Sequence, residues 1–227
     1  SLIKRFSTLV RESGSEEERE AARYIAQQLD LFGVPYQVYE PEIYLSVPIS
    51  ASLVYEGKTV RAKPPAFSRP PGPEGLTGEA VYVPSRRPSS ASNLFDSGGG
   101  EGIDVRGKIV VTEGLGLPAA VSRFEQAGAI GQIHINPGED IHWGICTTIW
   151  GAPDLDTAPR QPKTTVISIN RPHGEALIER IKQGPLQVTL HAELREGWFP
   201  CPIVVADIQG QQEPERYVLV HGHYDSW

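Results

Sequence analysis

Apolar residues recur at helical spacing through the opening of the chain. Leu2, Ile3, Phe6, Leu9 and Val10 share one helical face, which predicts a short amphipathic helix. A break at Ser13-Gly14 precedes "SEEEREAARYIAQQLDLFG". There Ser15 and Glu18 have capping-box spacing, and the acidic first turn suits the positive end of a helix dipole. "GSEEERE" therefore reads as a solvated helix start rather than a cation site. Ala22, Ile25, Leu29 and Phe32 form the stripe expected to be buried, and Gly33 sits where a C-terminal cap is wanted. "VPYQVYE" then alternates with the period of a strand.

From Pro41 the texture changes. Most of the 20 prolines lie between Pro41 and Pro172, and "KPPAFSRPPGPEG" and "PSRRPSSASNLFDSGGGEG" read as loops. "ASLVYEGKTVRA" predicts a hairpin turning at Glu56-Gly57. A βαβ unit follows, with strands at Lys108 to Thr112 and Ile130 to Asn136 around a helix from Pro118 to Ala127. Next come a strand near Thr165 to Ile169, a helix over "PHGEALIERIKQG" and a strand over "LQVTLHAEL". Beyond Gly197, "CPIVVADIQG" and "RYVLVHGHYDSW" read as two strands separated by a polar turn. The expected organisation is α/β. One domain opens over 1–40, a Pro/Gly-rich module is inserted over 41–197, and the first domain resumes over 198–227.

Composition narrows the function classes. Hydrophobic residues make up 39% and charged residues 22% of the chain, near the average of a soluble globular protein. A formal net charge of -7 argues against nucleic acid or an anionic membrane surface as the main partner. No apolar run approaches the roughly 18 residues of a membrane span. No signal-peptide pattern opens the sequence and no initiating Met is present. The start reads as trimmed, and localisation is not legible. Cys146 and Cys201 have no CxxC spacing, so neither a disulfide framework nor a zinc knuckle follows. One disulfide between them and two buried thiols are both compatible with the spacing.

The chemistry concentrates in "VLVHGHYDSW". His223 and Asp225 stand two apart at the end of an apolar run, so in extended backbone they point to the same side, with His221. A neutral imidazole is a common zinc ligand, and a carboxylate either joins the shell or orients the imidazole through its second nitrogen. A His–Asp pair with a purely structural role fits the same spacing. Of the other histidines, His134 falls in a strand pattern, His173 near a helix start and His191 on an outward strand position. His142 lies in a Gly-rich loop with Trp143, Trp150, Asp140 and Asp154, a set suited to lining a pocket.

Taken together, "VLVHGHYDSW", "VRGKIVVTEG…FEQAGAIGQIHIN" and the helix–helix–strand opening resemble the co-catalytic zinc aminopeptidases. The likeness is greatest to the glutamate carboxypeptidase-like branch, with its inserted protease-associated domain. The resemblance spans nearly the whole chain. It implies a zinc exopeptidase acting on peptide substrates, with His223 a ligand to one of two zinc ions. Asp225 is then the carboxylate that orients that imidazole, and His221 has no role. In the family the other metal ligands and the general base follow the His-x-Asp motif, so the 227 residues are expected to be the N-terminal part of a longer peptidase, inactive alone. The resemblance also admits a homodimer formed through the downstream part. It places the Trp143 to Trp150 loop as a candidate for facing the substrate.

Two other readings stay open at the level of sequence. A metallo-β-lactamase-like hydrolase has the motif HxHxDH, nearly met by His221, His223 and Asp225, with Ser226 in the final place. A non-catalytic receptor of the peptidase family would keep the inserted domain and lose metal ligands.

Overall fold

The computed structural model describes residues 2–85, 102–149, 152–213 and 215–226. Most of the second predicted loop, together with Trp150 and Trp227, lies outside them. The described residues form four α-helices, α1 (Leu2–Phe6), α2 (Glu16–Phe32), α3 (Pro118–Gln126) and α4 (Arg171–Lys182). They also form nine strands: β1 (Tyr36–Tyr39), β2 (Glu42–Tyr55), β3 (Lys58–Ala62), β4 (Leu76–Tyr82), β5 (Ile109–Glu113), β6 (Gly131–Ile135), β7 (Thr165–Ile169), β8 (Gln187–Pro200) and β9 (Ile203–Ala206). The fold is mixed α/β. The chain divides into two compact units, one made of Ser1–Leu45 with Gly197–Trp227 and the other of Ser46–Glu196.

The larger unit is organised by a seven-stranded sheet of order β3-β2-β8-β4-β5-β6-β7. Strands β4 to β7 run parallel, while β2–β3 and β4–β8 pair antiparallel. Parallel strands buried on both faces read as continuous apolar runs, and every residue of β6 and β7 is indeed buried. The β2–β3 hairpin turns on two residues, Glu56 and Gly57, both at positive φ, as a type I′ turn requires. Just past β3, Lys63 bridges to Ser168 of β7 through a pair of backbone hydrogen bonds of 3.0 and 2.7 Å. The two edges of the sheet are thereby stitched together.

The interior of this closed sheet holds Leu53, Ile109, Ile133, Ile167, Leu190 and Leu177 of α4. Gly174 of α4 has no room for a side chain, since a Cβ there would lie 2.2 Å from Ile135 Cγ2. Helix α3 covers the other face of the parallel strands with Ala120, Val121 and Phe124. Strand β4 was not legible in the sequence, although "LTGEAVY" alternates, because loops rich in Pro and Gly flank it. Strands β2 and β8 are each 14 residues long, well beyond the hairpin and strand expected there.

In the smaller unit, α2 follows its sequence signals closely. Ser15 Oγ accepts from Glu18 N (3.0 Å), the Glu18 carboxylate accepts from Gly14 N (2.6 Å), and Gly33 caps the other end in left-handed conformation. The buried stripe differs from expectation, running through Glu18, Ala21, Ala22 and Ala26, while Phe32 is 77% exposed. The helix packs on the antiparallel β1–β9 ribbon. A four-residue strand is about 13 Å long and a 17-residue helix about 25 Å, so the ribbon covers only part of the helix. Helix α1 stops at Phe6 with no buried residue, leaving Leu9 and Val10 outside it. The run Tyr217–Val220, expected as a strand, joins no ladder among the described residues, and Val218 is 90% exposed. An apolar run becomes a strand only where a neighbouring strand accepts its hydrogen bonds.

Candidate metal centre

The His-x-Asp turn is held by the segment before α2. Arg11 Nε donates to Tyr224 O (2.6 Å), and Ser226 N donates to Arg11 O (2.7 Å). Residue 225 is bracketed on both sides by one arginine. The Arg11 guanidinium also lies 4.8 Å over the Phe6 ring and donates to Phe6 O. Ser13 Oγ donates to Asp225 Oδ2 (2.6 Å), and the Tyr224 hydroxyl donates to Pro202 O.

The other Asp225 oxygen faces the imidazole. His223 Nδ1 lies 3.1 Å from Asp225 Oδ1 and 2.9 Å from Asp225 O. Both are acceptors, so Nδ1 carries the proton and Nε2 of the neutral ring keeps its lone pair. The His223 side chain is 85% exposed, which leaves Nε2 accessible. Around the turn the setting is partly dry. Burial raises the Glu18 pKa against the opposing Gly14 N–H, with the Asp225 charge adding to the rise. Burial, with the nearby Glu18 charge, pushes the Cys201 thiol up to about 11 and also raises the Tyr224 phenol. Without a metal, Cys201 is therefore a protonated thiol at neutral pH.

The remaining sequence candidates are dispersed. Trp143 stands half-buried with Lys63 Nζ 4.3 Å over its ring, a cation–π contact. Trp150 lies outside the described residues. His142 is exposed, its backbone N–H donating to Asn136 Oδ1 (2.7 Å). His134 is buried at the centre of β6 beside Gln132, and burial lowers its pKa to about 4. His173 lies at the start of α4, its ring nitrogen 2.7 Å from Asn170 Oδ1. Cys146 and Cys201 are both free, buried thiols.

Sequence reading missed Ser13 and Arg11. It treated Ser13-Gly14 only as a helix break, and no local signal ties these residues to a turn more than 200 positions away. The one cue was Gly14 itself. It adopts φ +77°, and a Cβ there would sit 2.8 Å from Phe199 Cβ, so the backbone must run tightly at this point.

The donor set fits one position of a zinc shell, an imidazole with a free Nε2 and a carboxylate behind it. No group of three or more His, Cys, Asp or Glu placed to hold a metal occurs among the described residues. A zinc site needs three or four protein ligands, so these residues do not complete one. No helix among the described residues is long and apolar enough to cross a membrane.

No family model matches the chain, and no curated protein matches it in sequence. Solved structures do match. An aminopeptidase from Aneurinibacillus sp. strain AM-1 is similar over 95% of this chain and 48% of its own, at TM-score 0.64 and 20% identity. A zinc aminopeptidase from Bacillus subtilis is similar over 93% of this chain and 47% of its own, at TM-score 0.58 and 18% identity. A peptidase M28 precursor from Shewanella amazonensis SB2B is similar over 100% of this chain and 53% of its own, at TM-score 0.60 and 16% identity. The chain thus shares the fold of about half the length of each.

Proposed function

We propose that this chain is part of a zinc-dependent exopeptidase, with His223 as a ligand to one of two zinc ions. The observation that carries the reading is the oriented His223–Asp225 pair. Its free Nε2 is exposed, in a fold shared with zinc aminopeptidases. When bound, the metal would supply Lewis acidity toward a carbonyl and a water of lowered pKa. In this chain, His223 offers the nitrogen and Asp225 holds the Nδ1 proton in place. Tyr224 and Ser226 anchor the turn through their backbone.

The domain assignment belongs to the same proposal. Residues 1–40 and 198–227 contribute to the peptidase domain, 41–197 form an inserted protease-associated domain, and Trp143 and Trp150 are its candidate substrate-binding residues. One oriented imidazole among the described residues is too few donors for a working site, so the proposal expects the 227 residues alone to hydrolyse no peptide, with further ligands and a general base coming from other parts of the protein. The exposed run Tyr217–Val220 supports this, as an apolar strand sequence with no ladder partner among the described residues.

The test is zinc content and peptide hydrolysis of the intact protein, before and after chelation, with His223→Ala and His221→Ala alongside. The proposal expects about two zinc ions per chain, hydrolysis lost on chelation, and a loss of at least about 100-fold in His223→Ala, with His221→Ala near wild type. Absence of bound zinc, or a larger effect at His221 than at His223, rejects it.

A further inference from the structure

The two carboxylate oxygens of Asp225 face two different partners, and only one of these is the imidazole, whose Nδ1 also lies 2.9 Å from the backbone Asp225 O. Oδ1 faces His223 Nδ1 at 3.1 Å, and Oδ2 receives the Ser13 hydroxyl proton at 2.6 Å. The latter distance is in the range of short, charge-assisted O–H···O⁻ bonds. A hydrogen bond to one carboxylate oxygen restrains rotation about the last torsion, so anchoring Oδ2 favours one direction for Oδ1. The backbone of the same residue is bracketed by Arg11, through Arg11 Nε to Tyr224 O and Ser226 N to Arg11 O. Ser13 is itself placed by its neighbour. Gly14 takes a left-handed turn against Phe199, and its N–H is held by the Glu18 carboxylate, 2.6 Å away.

We propose that Ser13 is a positioning residue for the His223 ligand, acting through Asp225, with the Arg11–Gly14 segment as the clamp that holds the His-x-Asp turn in register. This deepens the zinc reading and rests on it for its meaning, while its geometry is independent of any bound metal. The helix cap and the ligand are then one device. The segment that starts α2 also holds the carboxylate that leaves Nε2 of the imidazole as the free nitrogen.

The experiment uses the intact protein in two states. In the zinc-free protein, long-range proton–nitrogen NMR of the His223 ring reads the balance of the two neutral tautomers, with His223→Asn identifying the signals. Competition against a chromophoric chelator reads zinc affinity. The expected result is a predominant Nδ1–H form in wild type, a raised Nε2–H fraction in Ser13→Ala, and zinc affinity at least about 10-fold weaker. Ser13→Thr, which keeps the hydroxyl, retains wild-type behaviour. Ser13→Cys keeps the volume with a much weaker donor and follows Ser13→Ala, which separates the hydrogen bond from packing should the alanine variant fold poorly.

Because Ser13 acts through the carboxylate, Ser13→Ala adds no further loss of zinc affinity in an Asp225→Ala background. An equal loss in both backgrounds overturns the proposal, as does a tautomer balance that Ser13→Ala leaves unchanged. Unchanged zinc affinity in Ser13→Ala, with His223→Ala strongly weakened, overturns the positioning role and leaves the zinc reading standing. Wild-type zinc affinity in His223→Ala overturns the zinc reading instead, and the tautomer balance still decides on Ser13.

Discussion

Two five-residue stretches with three branched apolar residues each meet opposite fates in this molecule. "IVVTE" forms β5, whose first four residues are buried. "YVLVH", equally rich in branched apolar residues, forms no strand among the described residues, and Tyr217, Val218 and Val220 are all at least 86% exposed. The difference lies in the neighbours. Strand β5 has β4 on one side and β6 on the other, both parallel and in fixed register, with α3 and the sheet interior covering its faces. The later run has no ladder partner among the described residues. An apolar β-branched sequence is thus a requirement for neighbours, and the structure shows one place where that requirement is met and one where it is not.

The largest effect should come from truncating the satisfied side of this contrast. Ile133 of β6 is fully buried between paired strands, and Ile133→Ala should cost about 4 kcal/mol through lost transfer energy and the cavity left behind. Leu219→Ala, in the exposed run, should stay within about 0.5 kcal/mol. Denaturant midpoints of the 227-residue chain check both. A cost at Leu219 rivalling that at Ile133 would mean that the run is buried in solution, and the comparison would collapse.

A somewhat smaller effect follows from the histidine inside the satisfied region. Burial holds His134 at a pKa of about 4 against an ordinary value of 6.5, with the Arg123 charge adding to the depression. Between those values the unfolded chain binds a proton that the native state refuses, so stability falls as pH falls through this window and is level above it. The whole shift corresponds to roughly 3 kcal/mol. His134→Gln should flatten that part of the profile. Urea midpoints between pH 4 and 7 measure it, and an unchanged slope in the variant would assign the acid sensitivity elsewhere. His223 sits in the exposed region and shares none of this burial.

The same contrast explains what could be read from residues alone. Local signals were legible: the Ser15–Glu18 box, the Glu56-Gly57 turn and the βαβ unit all depend on residues a few positions apart, and all appear in the structure at those positions. The α/β class followed from their alternation. Signals that depend on a distant partner were not legible. Burial of Ala21, Ala22 and Ala26 instead of Phe32 is set by how far the β1–β9 ribbon reaches along α2. The closure of the sheet at Lys63 and Ser168 depends on a pairing across more than 100 residues. In the candidate site, the His223–Asp225 pairing is local and visible in the spacing. Ser13 and Arg11 reach it from the far end of the chain, and no periodicity records that.

The smallest effect should be indifferent to the contrast. Helix α2 in the smaller unit is capped by Ser15, whose Oγ accepts from Glu18 N at 3.0 Å, and α4 in the larger unit by Asn170, whose Oδ1 accepts from His173 N at 3.2 Å. Each cap satisfies one N–H that the helix cannot satisfy itself, and Asn170 Nδ2 in addition donates to Glu139 O (3.1 Å). Ser15→Ala and Asn170→Ala should therefore each cost about 1 kcal/mol, despite the unequal burial around them. Ser15→Asp should recover most of it, because a carboxylate at the cap also suits the helix dipole, whereas Asn170→Asp should recover less because it loses the amide donor to Glu139 O. Thermal melts of the four variants compare the two units directly. A cost at Ser15 several times that at Asn170 would show that the Ser15 site carries more than a cap. The adjacent hydrogen bonds, from Gly14 N–H to Glu18 and from Ser13 to Asp225, would then couple helix stability to the turn that presents His223.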